Sequence, residues 1–65
     1  MSEKEIAAYA MRIVEQFGAT ADLEALRRAQ TFDHAGDRLN ADLWLEITDT
    51  VRKLQNLHHI RRDGI

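Results

Sequence analysis

Apolar residues recur every three or four positions along three stretches of the chain, the spacing of helices that each bury one stripe. In the first stretch, Ile6, Tyr9, Ala10, Ile13 and Phe17 share a face with Val14 beside them, while Glu3, Lys4, Arg12, Glu15 and Gln16 fall elsewhere. Ser2 followed by Glu5 has the form of a capping box, in which each side chain satisfies a free backbone N–H of the other. Gly18 supplies a residue that takes positive φ at low cost and so ends a helix. The pattern predicts a helix over residues 3–17.

The second stretch carries Ala21, Ala25, Leu26, Ala29 and Phe32 on its inward face, with Arg27, Arg28, Gln30 and Thr31 directed largely away. Thr20 is the expected N-cap, and Asp22 and Glu24 suit the positive end of the helix dipole. Three alanines in that row let a neighbouring helix approach closely. A helix over 21–35 follows, stopped at Ala35-Gly36. Asp37 then caps a third helix over 38–57, whose buried face is Leu43, Trp44, Ile47, Val51 and Leu54. Trp44 is the expected central packing residue. Residues 59–65 lose the pattern and read as a frayed tail. The fold expected is all-α, a small three-helix bundle, with residues 1–65 forming one domain.

Composition supports the helical reading and limits the chemistry. Proline is absent, glycine occurs three times, and the chain is 45% hydrophobic and 31% charged, a globular balance. No cysteine is present, which removes disulfides and thiolate zinc sites. A domain of 65 residues buries only about 60% of its unfolded surface, so it needs good helix packing, oligomerisation or both. The polar start Met1-Ser2-Glu3-Lys4-Glu5 and the lack of an apolar run of about 18 residues point to a cytoplasmic protein without a membrane partner.

Candidate reactive groups are few. His34 lies near Asp33 and Asp37, and His58 adjoins His59, but adjacent histidines on a helix diverge by about 100° and do not clamp a metal. Asp37 is explained by capping. Asp33 falls near the apolar edge of the second helix, where it is expected to pair with an arginine across the bundle or to lie at the bundle's open end. No nucleophile–base motif, phosphate-binding glycine loop or zinc signature occurs. The expectation is therefore a non-enzymatic protein with no catalytic residue, cofactor, metal or small-molecule substrate.

Charge divides along the chain. The net charge is −2, the first fifty residues hold five basic and ten acidic side chains, and Arg52, Lys53, Arg61 and Arg62 then oppose only Asp63. Two helices joined by a glycine turn suggest a helix-turn-helix, but the would-be recognition helix presents Asp42, Glu46 and Asp49, which repel phosphate. A nucleic-acid-associated regulator using Arg52, Lys53, Arg61 and Arg62 is thus the alternative rather than the preferred reading. Leu39, Leu45, Leu57 and Ile60 lie outside or at the margins of the third stripe, and several such residues on so small a domain mark a partner surface. The preferred expectation is a protein–protein interaction or regulatory module, docking on another protein or on itself as a homodimer.

The run Tyr9-Ala10…Ile13-Val14-Glu15-Gln16-Phe17-Gly18, with Arg28-Ala29 and then Ala35-Gly36-Asp37…Trp44…Ile47…Val51…Leu54-Gln55, resembles short alphaproteobacterial helical proteins of unassigned function. In those proteins the Gly-Asp corner and the tryptophan recur. The likeness covers roughly residues 7–55 and implies a compact helical fold; it carries no activity, ligand or site residue.

Overall fold

The computed structural model describes residues 2–63, and the side chains of residues 2–57. Among these the chain is all-helical: α1 spans Glu3–Phe17, a 3₁₀ turn spans Gly18–Thr20, α2 spans Ala21–His34 and α3 spans Arg38–Asp63. The start of α1 follows from Ser2, whose backbone is extended and whose Oγ accepts the N–H of Glu5 at 3.4 Å.

α1 passes into α2 without an intervening loop. Gly18 takes φ 58° and ψ −122° and its N–H donates to the Val14 carbonyl, closing α1. Thr20 does not cap α2 as its sequence position suggests. Its backbone (φ −98°, ψ 7°) is not in the extended conformation a cap requires, and its hydroxyl donates backwards to the Phe17 carbonyl at 3.1 Å. The 3₁₀ turn leads directly into the next helix, so Thr20 serves the end of α1 instead.

The second corner is a Schellman motif. Gly36 sits at φ 78°, its N–H donates to the Asp33 carbonyl at 3.0 Å, and the Asp37 N–H donates to the Phe32 carbonyl at 2.9 Å. Asp37 then caps α3, its Oδ1 accepting the Asn40 N–H at 3.3 Å and its Oδ2 the Asn40 amide at 2.7 Å. α2 ends at His34, one residue short of expectation, whereas α3 continues to Asp63, past the expected end at residue 57. No glycine or proline occurs between residues 58 and 63, so nothing in the local sequence stops the helix before Gly64.

α2 runs away from the Gly18 corner and α3 returns to it. The Gln55 side-chain amide donates to the carbonyls of Gly18 (3.1 Å) and Ala19 (3.3 Å), and Arg52 approaches Asp22 at 3.9 Å. α1 and α3 therefore both point toward that corner. Between them lies a core of Ala10 and Ile13 from α1, Ala21 and Ala25 from α2, and Ile47 and Val51 from α3. Ile6, Val14, Phe17, Leu43, Trp44 and Leu54 pack around it. Ala29 and Ala41 are buried as well, so small residues face one another where α2 crosses α3.

Ile47 and Val51, rather than Trp44, are the large side chains wholly enclosed. A core lined by alanines is too shallow to swallow an indole, and Trp44 is half-buried at its rim. Tyr9, read as part of the α1 stripe, is likewise 43% exposed, its ring edge-on to Trp44 with centroids 6.4 Å apart. The buried Thr48 hydroxyl is satisfied within its own helix by the Trp44 carbonyl at 2.7 Å.

Candidate functional site

The residues singled out as a contact surface all come from α3, and its geometry separates them into two places. Leu39 (82% exposed) and Leu57 (60% exposed) are eighteen residues apart, which is about five full turns. They therefore share one angular position on the outside of the helix, about 27 Å apart along its axis. Between them the same outer side carries Asp42, Glu46, Asp49 and Lys53, all exposed, with Lys53 Nζ 3.6 Å from Asp49. This is an exposed, mixed apolar and charged face among the described residues.

Leu45, 49% exposed, lies on another side of α3. It borders a groove of about 250 Å³ between α2 and α3, lined also by Ala29, Gln30, Asp33, Arg38, Ala41 and Asp42. Asp33 is exposed here, beside the Gly36 corner that joins α2 to α3, and lines the same groove as Arg38; among the described residues it forms no ion pair with an arginine across the bundle. The side chain of Ile60, the fourth residue of the expected surface, is outside the described residues.

The basic set is partly engaged. Arg52 faces Asp22, and Lys53 faces Asp49 one turn back on its own helix. The side chains of Arg61 and Arg62 are outside the described residues. An acid already stands beside each of the two basic groups whose positions are described, which lowers the local potential for phosphate.

The arrangement that sequence reading missed is at the junction of the three helices. Arg28, expected to point outward, folds inward and sets its guanidinium 5.6 Å from the Phe17 ring centroid and 5.3 Å from that of Trp44. Ring faces attract the cation, and the long stem covers apolar surface. Its Nη1 is buried without a hydrogen-bond partner among the described residues, while Glu24, one turn away, pairs with Arg27 at 3.5 Å. The signal was present: Arg28 lies three past Ala25 and four before Phe32, inside the apolar row.

Among the described residues no group of three His, Asp or Glu side chains is placed to hold a metal ion. No helix there is long and apolar enough to cross a membrane. No protein family, curated protein or solved structure matches the chain.

Proposed function

We propose that this chain is a non-catalytic interaction module, a small cytoplasmic adaptor or regulator built as a three-helix bundle and docking through the outer face of α3. The observation that carries the reading is the exposure of Leu39 and Leu57 at one angular position of that helix. Isolated surface leucines are ordinary. Two aligned on one helix, on a domain too small to hide more apolar surface, supply anchors for a partner helix. The resemblance to short alphaproteobacterial helical proteins belongs to the same proposal and adds no ligand to it.

The alternative, a nucleic-acid-associated regulator, draws on Arg52, Lys53, Arg61 and Arg62 and has weaker support, because Asp22 and Asp49 stand beside the first two.

Photo-cross-linking in cells tests the docking reading whatever the occupant. A photoreactive residue placed at Leu39 or Leu57 is expected to give discrete protein adducts, whereas one placed at the exposed Gln16 of α1 gives only background. Adducts no more abundant at Leu39 and Leu57 than at Gln16 overturn it.

A further inference from the structure

We infer that the occupant of the outer α3 face is a second copy of this chain, paired antiparallel; this rests on reading that face as a docking surface and names what covers it. A two-fold axis perpendicular to α3, midway between Leu39 and Leu57, sets each Leu39 over Leu57 of the other copy at both ends of the contact. That match arises because the two residues share one helical angle, a relation that a spacing of sixteen or twenty residues would not give.

Charge selects the same orientation. Along the outer face the acids Asp42 and Glu46 precede the base Lys53. Antiparallel pairing brings Lys53 of the second copy alongside Asp42 and Glu46, and the symmetry repeats the contact at the other end. Parallel pairing instead opposes Asp42, Glu46 and Lys53 to their own equivalents, which repel. Asp49 falls close to the axis, where its own Lys53 at 3.6 Å offsets its charge. The arrangement is isologous, so it closes as a dimer and does not propagate into fibres.

Site-specific thiol cross-linking of the purified chain tests the pairing. The chain contains no cysteine, so Leu39→Cys and Leu57→Cys each place a unique thiol at an exposed position that the core does not use. Paired helices keep axes about 8–10 Å apart and each Cα lies about 2.3 Å from its axis, so facing positions come within about 3–6 Å, in reach of a disulfide or a short bifunctional maleimide. Mixing the two variants is expected to give a dimer joined from position 39 to position 57, with little product from Leu39→Cys alone. Lys53→Glu is expected to weaken self-association about tenfold, and Glu46→Lys in the same chain to restore it.

A product joined from 39 to 39 overturns the antiparallel arrangement. Absence of any cross-link between folded chains at high concentration overturns the second copy as occupant. If cells at the same time yield adducts from Leu57 to a different protein, the docking surface stands and only its occupant has been misassigned.

Discussion

The Arg28 guanidinium lies 5.3 Å from the centroid of the Trp44 ring and presents a buried Nη1 that no group among the described residues accepts. One cation of α2 thereby spans from the Phe17 ring of α1 to the indole of α3. Two terms oppose each other there. Attraction to an aromatic face is worth about 0.5–2 kcal/mol, and leaving a buried donor unsatisfied costs about 1–3 kcal/mol.

The near balance gives a specific prediction. Arg28→Met keeps the apolar stem and removes the unsatisfied donor, so its stability should stay within about 1 kcal/mol of the parent. Arg28→Ala uncovers Phe17 and Trp44 and should cost about 1–2 kcal/mol, with a red shift of emission from the only tryptophan. Thermal unfolding followed by fluorescence measures both. A large loss in Arg28→Met would show that the charge itself holds the junction together.

The core has its own ranking. Ile47→Ala and Val51→Ala remove the two large side chains that are fully enclosed, and each should cost about 2–4 kcal/mol. Leu43→Ala, at a half-buried position on the rim, should cost less than either. Urea titration checks the order, and a Leu43→Ala loss exceeding that of Ile47→Ala would move the centre of the core.

The two corners make different demands on glycine. Neither position would crowd an added Cβ, so any cost of alanine there is backbone strain alone. Gly36→Ala places a side chain at φ 78° and should cost about 1–2 kcal/mol. Gly18 combines φ 58° with ψ −122°, outside the left-handed helical basin that other residues tolerate, so Gly18→Ala should cost more. Equal midpoints for the two variants on thermal melting would refute the distinction.

The helix pattern was legible because stripe spacing, Asp37 and the glycines act locally, over one or two turns. That locality is why the Gly36 corner, the start of α1 at Ser2 and the alanine row of α2 were readable from residue order alone. Trp44 and Arg28 were misread for the opposite reason: where each settles depends on the depth of a core shared by three helices. The Thr20 cap failed because φ and ψ at a junction depend on how the two helices meet, which residue type does not specify. Leu39, Leu45 and Leu57 were recognisable as leftover apolar groups, but only the course of α3 separates Leu45 from the other two.

The most direct measurement is a series of two-dimensional amide spectra of the purified chain from low micromolar to near-millimolar concentration. Pairing of the outer α3 faces predicts progressive shifts at Leu39, Asp42, Glu46, Lys53 and Leu57, with Ala21, Ala25 and Ala29 unchanged. Spectra independent of concentration, or shifts confined to α1 or the Leu45 groove, would contradict it.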